Sequence, residues 1–449
     1  MPKRRRANTK TIEQPPCSHR RIYFDVSPDA AFVGFQRLSE NRRRAAAAAS
    51  GRIARSSEPI HDEHSDSLMF PGPLVLEDDD LFADPRQPPQ TLRSWMTLKE
   101  RNPVTDDRRT LYVVSPPEVT AEVNAMTSWT RPRAAVRDEA SRARPPTAEG
   151  IRDYLEAFYH GMEVKVFSGQ FKWVPWRGTK VSMPDSEPKF VGLACPNDAV
   201  VRIRCRSPLD EVPRRQINLD DVLDGLLENV PDDAYAIVML VHHDIYEDKD
   251  DVFCGGRAYG GSRIAVMSSF RYGPMVDAIT GPPVPHHHGW PASHCSEYVE
   301  GGVRGKHHEN TAGIGAEGAL TEAVKASAGI LPRLAPDLSA LWAAKVSKGV
   351  SHELGHCFGI GHCVFYACVM QGSSGMSEDD RQPPYLCPVC LAKVTCGILR
   401  IKPGQDEVAE REYVLARDKA LVAYCSKFPN VMMLVGLEQW LQVRMRQLY

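Results

Sequence analysis

Apolar residues recur at helical spacing after Thr147, where AEGIRDYLEAFYHG places Ile151, Leu155 and Phe158 on one face and stops at Gly161. The spacing predicts an amphipathic helix capped by Thr147. A second helix is predicted for LDDVLDGLLENV, with Asn218 as its cap. KVFSGQFKWV and VVRIRCR read as strands, and AYAIVMLV (234–241) is a short continuous apolar run, the pattern of a buried strand. Helices alternating with strands predict an α/β layer. Further on, DLSALWAAKVSKGVSHELGHCFG carries an apolar stripe of Leu338, Leu341, Trp342 and Val346. It reads as one long helix with Asp337 as cap and Gly359 as its end. Two more helical stretches, QDEVAEREYVLARDKALVAYCSKF and LVGLEQWLQVRMRQL, close the chain.

Elsewhere the pattern fades. Residues 1–90 change charge sign from NRRRAAAAASGRIARSS to HDEHSD and LEDDDLFADP and end in RQPPQ, so they read as a partly ordered arm with a linker-like end. Residues 91–449 read as the main domain, with an α/β part at 91–274. Residues 275–335 are rich in Gly, Pro and His without sustained periodicity, which predicts a long surface insertion. The insertion holds His286, His287, His288, His294, Cys295, His307 and His308; it reads as a flexible, partly lid-like loop, with a third metal site as the alternative. Residues 336–430 carry the long helix and a cysteine-rich part, and 431–449 the final helix.

Composition narrows the function classes. With 42% apolar residues in 449, the chain can bury a sizeable core, and 55 Lys and Arg against 57 Asp and Glu leave no global field to draw nucleic acid or an anionic membrane. No apolar run reaches the roughly eighteen residues of a membrane span, and the N-terminus shows no secretory h-region. The expected compartment is the cytosol, with Lys3 to Arg6 a candidate nuclear import tag. In that reducing setting the twelve cysteines argue for metal rather than disulfides, because six lie between 357 and 396. Peptides or unfolded segments are the expected partners, with neither nucleic acid nor membrane; the oligomeric state is open.

The chemistry is concentrated in HELGHCFGIGHC (352–363). Positions four apart share a helix face, so His352 and His356 can address one ion, while Glu353 lies about 100° round, near the ion but not aimed at it. Gly359 can turn the chain back in a left-handed conformation, which makes His362 available as a third ligand. The full spacing, HExxHxxGxxH, is the signature of metzincin peptidases. Three neutral imidazoles leave the ion its charge and an open position, where bound water is acidified toward neutrality. Glu353 is then the general base toward that water and carries the proton to the leaving amine.

Cys363 and Cys368, with Cys387 and Cys390 of CPVC, have the spacing of a closed four-cysteine zinc site. Four thiolates around a divalent ion leave a net charge of about minus two, so that metal is structural. Successive side chains on an extended segment point opposite ways, which lets His362 serve one ion and Cys363 the other. Cys357 and Cys396 fit neither group and read as small buried hydrophobes.

The combination HELGHCFGIGHC, ACVMQGS and DRQPPYLCPVCLAKV resembles the archaemetzincins. LRSWMTLKERN, ERNPVTDDRRTLYVV, DYLEAFYHGMEVKV and FCGGRAYGGSRIAVMSSFRYG extend the resemblance, which covers roughly residues 91–430. It implies a metzincin-type α/β zincin: a twisted mixed β-sheet, a long active-site helix ending at Gly359 and a C-terminal part stapled by the four cysteines. It also implies two zinc ions, a catalytic one on His352, His356 and His362 and a structural one on Cys363, Cys368, Cys387 and Cys390. Glu353 would be the catalytic base, Met370 the apolar floor beneath the catalytic ion, and Arg263 to Ser269 the edge strand that pairs with extended substrate. The implied activity is zinc-dependent hydrolysis of peptide bonds; the alternative is a zinc-stabilised peptide-binding or regulatory protein with a weak or vestigial site. The chain departs from the family pattern at Cys357, usually aliphatic, at DRQP, commonly DRRP, in a loop after Met370 that is one residue shorter, and in the size of the insertion.

Overall fold

The computed structural model describes residues 17, 19, 21–23, 27–52, 69–302 and 318–448. Its strands are β1 (Thr110–Val114), β2 (Glu118–Val119), β3 (Glu163–Val166), β4 (Lys172–Val174), β5 (Phe190–Ala194), β6 (Val200–Arg206), β7 (Gln216–Asn218), β8 (Ala234–Val241), β9 (Asp244–Tyr246), β10 (Gly256–Tyr259) and β11 (Ile264–Ser268). They build a five-stranded sheet in the order β10-β11-β8-β1-β3 and a six-stranded one in the order β2-β4-β5-β6-β7-β9. The first sheet is mixed: β3, β1, β8 and β11 are parallel neighbours, and β10 runs antiparallel to β11 at the edge.

Strand β8 explains its own sequence. Ala236, Val238 and Leu240 enter the core shared with the long helix, whereas Ile237, Met239 and Val241 enter the core shared with the second sheet. A strand covered on both faces has no solvent side, so its sequence is an unbroken apolar run rather than an alternation.

The helices that position the site are α1 (Asp80–Ala83), α2 (Ala148–Phe158), α3 (Leu219–Leu227), α4 (Ala319–Ser327), α5 (Ala335–Cys357), α6 (Pro388–Leu399), α7 (Glu407–Cys425) and α8 (Met432–Leu448). The Thr147 hydroxyl accepts from Gly150 N at 3.2 Å and Asn218 Oδ1 from Asp221 N at 3.2 Å, so both expected caps form. Helix α5 lies across β10 and β11 and against α2, with Val346, Val350 and Leu354 fully buried. Its cap position is Leu334 rather than Asp337. Asp337 sits in the first turn, where a carboxylate still opposes the positive helix end, and accepts from Asn430 Nδ2 at 3.2 Å. Among the described residues no helix is long and apolar enough to cross a membrane.

Two segments differ from expectation. Residues 69–90 are not a spacer: Phe70, Leu74, Val75 and Leu81 are buried, and the Phe70 ring meets those of Tyr385 and Trp440 at 5.6 and 5.3 Å. The apolar FPGPLVL between two acidic stretches supplies surface to bury, and the flanking charge masked it. Residues 1–16 and 53–68 lie outside the described residues. Likewise the described parts of 275–335 are not a surface loop. Trp290, Ala292 and Cys295 are buried, and α4 packs on α8. Helix α4 buries Ala319, Leu320, Ala323 and Val324, whereas the apolar residues of 284–295 lie in short turns that set no helical period. His307 and His308 lie outside the described residues.

Candidate active site

The last turns of α5 present His352 and His356 on one face. His352 Nδ1 donates to Val369 O and His356 Nδ1 to Ile360 O, each at 2.7 Å. A carbonyl only accepts, so both Nδ1 atoms carry the proton and both Nε2 atoms expose lone pairs. Those Nε2 atoms are 3.0 Å apart. Two lone pairs facing at that distance form no hydrogen bond; they fit a cation. Gly359, at φ 73°, reverses the chain and brings the His362 ring to 5.4 and 5.2 Å from those of His352 and His356. One ring nitrogen from each of the three lies within 4.8 Å of the others. Burial lowers the proton affinity of His352 and holds His356 at about 4, which keeps both in the neutral, ligating form.

The surroundings orient this group. His362 Nδ1 stands 3.9 Å from Asp80 Oδ2, and Gln87 Nε2 donates to the same carboxylate oxygen at 2.9 Å. A carboxylate behind a ligating imidazole fixes its ring and raises its basicity. Asp80 escaped sequence reasoning because nothing distinguishes it within DDDLFADP. Gln90, from the expected linker, binds the turn itself: its Nε2 donates to Gly359 O and its Oε1 accepts from Gly361 N, both at 3.0 Å. Met370 is fully buried, and its sulfur lies so close beneath Gly355 that a Cβ there would collide with it. It therefore underlies the turn between the two helix histidines. Glu353 is 9% exposed. Burial raises its carboxyl to about 8, opposed by Arg257 and reinforced by Glu247.

A cleft of about 790 Å³ opens over these residues. Phe253 to Ala258 form one wall, Ser373 to Met376 and Gln382 another, and His352, Glu353, His356 and His362 lie between. Lys348 and Asp379, a buried pair at 2.9 Å, also line it. Sequence reasoning had no signal for that pair, since the partners are distant in the chain. The edge strand beside the cleft is β10, which corrects the expectation for Arg263 to Ser269. Strand β11 lies inside the sheet between β10 and β8 and is buried throughout. Arg263, at φ 63°, closes the tight turn that folds β10 back over it, and such a turn is hard to read from GGSR alone.

The four cysteines also come together, one sulfur from each within 4.8 Å of the others and all buried. Cys363 and Cys387 Sγ are 3.6 Å apart, while Cys387 N and Met370 N donate to Cys368 Sγ at 3.3 and 3.5 Å. The neighbouring sulfurs hold the Cys363 thiol well below its ordinary range. Four buried sulfurs gathered this closely suit a closed tetrahedral site. Cys387 occupies the cap position of α6 and Cys390 its first turn. Cys357 and Cys396 stay outside both groups as buried thiols that burial pushes up, Cys396 to about 12.

Residues 326–396 match the model of Peptidase family M54. Over that segment the chain is similar to peptidase family M54. The M54 segment holds both the three-histidine and the four-cysteine groups. The chain is also similar to archaemetzincins: it is 25% identical over 249 residues to archaemetzincin-2 of Macaca fascicularis, covering 55% of this chain and 53% of that one. Archaemetzincin-1 of Homo sapiens is 29% identical over 213 residues, 46% of this chain and 37% of that one. The chain thus spans about half the length of the archaemetzincin-2 relatives it matches. The crystal structure of archaemetzincin from Methanopyrus kandleri aligns at 17% identity and TM-score 0.32, over 66% of this chain and 98% of that one.

Proposed function

We propose that the chain is a zinc-dependent peptidase that hydrolyses peptides or unfolded protein segments lying along β10. The observation that carries this reading is the pair of bare Nε2 lone pairs of His352 and His356, 3.0 Å apart in an open cleft beside Glu353. The M54 match over the same residues supports it. His352, His356 and His362 would hold one zinc ion, and Cys363, Cys368, Cys387 and Cys390 a second, structural one. In the histidine group a zinc ion would supply Lewis acidity toward a scissile carbonyl and water.

The protein's own groups do the rest. The carbonyls of Val369 and Ile360 fix the rings of His352 and His356, and the carboxylate of Asp80 stands 3.9 Å from the His362 ring. Glu353 takes a proton from the attacking water and delivers it to the leaving nitrogen; burial, which raises its proton affinity, suits it to both halves of that exchange. The free edge of β10 aligns an extended substrate by main-chain hydrogen bonds, a mode that tolerates many side chains. The Lys348–Asp379 pair and Met376 form the wall that the neighbouring substrate residue would meet.

The deciding experiment compares wild type with Glu353→Gln on a peptide library, alongside metal analysis. Cleavage should drop about 10²- to 10⁴-fold while zinc content stays the same. Equal cleavage by the variant would remove Glu353 from the mechanism, and no cleavage by either would favour a peptide-binding protein.

A further inference from the structure

We propose that Cys17, His19, His288 and Cys295 form a further metal site, a structural Cys2His2 zinc centre that clasps the N-terminal segment onto residues 286–296. One ligand atom from each lies within 4.8 Å of the other three. Cys17 and Cys295 Sγ are 3.3 Å apart, and the His19 and His288 rings meet edge-on with centroids 5.5 Å apart. His19 Nδ1 and His288 Nε2 are shut off from solvent without a hydrogen-bond partner. A buried, unpaired ring nitrogen is costly, and a metal bond satisfies both at once.

The backbone brings these residues together across 278 positions of sequence. Ile22 bridges antiparallel to Cys295, Tyr23 N donates to His294 O at 2.5 Å, and Ser296 N donates to Arg21 O at 3.0 Å. Ile22 packs in an apolar cluster with Ala292, Leu320 and Val324. The ligands thus hang from a short two-stranded contact that is held on its apolar side.

Ligand chemistry selects the ion. Two thiolates and two neutral imidazoles balance a divalent charge, and a tetrahedral set of two sulfurs and two nitrogens is the preference of zinc. With no open position the ion would be structural. Two other arrangements compete, a Cys17–Cys295 disulfide and bare thiols with Cys295 donating to Glu297 Oε2 at 2.8 Å. Either leaves both ring nitrogens unsatisfied. The site also lies outside the cleft, so it stands or falls separately from the peptidase reading.

The test uses the full chain, purified with zinc under reducing conditions, with metal counted by mass spectrometry and then replaced by cobalt(II). Wild type should hold three equivalents, matching the three ligand groups. Cys17→Ser and, separately, His288→Ala should each lose one. Without the site, thiolate-to-cobalt charge-transfer absorbance should fall by roughly a third, since two of six ligand thiolates go. A metal count that neither substitution lowers below that of wild type would overturn the proposal, as would peptide mapping that finds Cys17 disulfide-bonded to Cys295. The two variants act from opposite sides of the clasp, so misfolding of one leaves the other decisive.

Discussion

The three-histidine group and the four-cysteine group begin on adjacent residues, His362 and Cys363, yet they occupy opposite environments. The histidines are half-buried on the wall of an open cleft, whereas the cysteines are sealed from solvent. The chemistry of the two groups follows the same division: neutral imidazoles would leave an ion acidic on the open side, and thiolates would quench one on the sealed side. Adjacency in the chain therefore couples an accessible site to an anchored one. Cys363 N donates to Met370 O at 2.7 Å, which ties both to the loop that also orients His352 through Val369.

The largest expected effect tests the anchored half. Cys390→Ala should release the structural zinc, whose binding in small zinc domains amounts to about 10–16 kcal/mol of folding free energy, and should lower the melting temperature steeply. It should also weaken cleavage by displacing His362. Chelation that leaves the melting temperature of wild type unchanged would break the assignment of a structural role. Next, Glu353→Gln tests the accessible half: peptide cleavage should drop about 10²- to 10⁴-fold with melting unchanged. If both variants shifted stability equally, the division between the halves would fail.

Two smaller effects sharpen the boundary. Asp80→Asn should weaken metal affinity at the histidine group by about 10- to 100-fold in a chelator titration while leaving the cysteine site loaded. Equal loss at both sites would mean that Asp80 acts through the fold rather than through His362. Gly355→Ala should cost about 1–3 kcal/mol, because the added methyl collides with Met370 Sδ. Calorimetry should show it as a drop of several degrees, and a stable variant would mean that the floor under the histidines can yield.

Much of this was legible in the chain. Helix α2 and its Thr147 cap, α3 and its Asn218 cap, the buried strand β8 and the long helix α5 were all written in local periodicity and cap chemistry. So was the grouping of the three histidines and of the four cysteines, since their members lie within one turn, one loop or a short motif of each other. Local spacing carries such information because a helix converts sequence separation directly into direction.

Other features depended on which distant segments met. Strand β10, not β11, became the sheet edge because a turn at Arg263 folded it over its neighbour. Asp80 and Gln90 reached the site because FPGPLVL had apolar surface to bury against the C-terminal helices. Cys17 and His19 met His288 and Cys295 because a short strand contact closed across 278 positions of sequence. The sequence by itself determined the chemical groups and their local directions. The tertiary structure decided which groups became neighbours, because burial of apolar surface is non-directional and leaves no periodic mark where it joins remote segments.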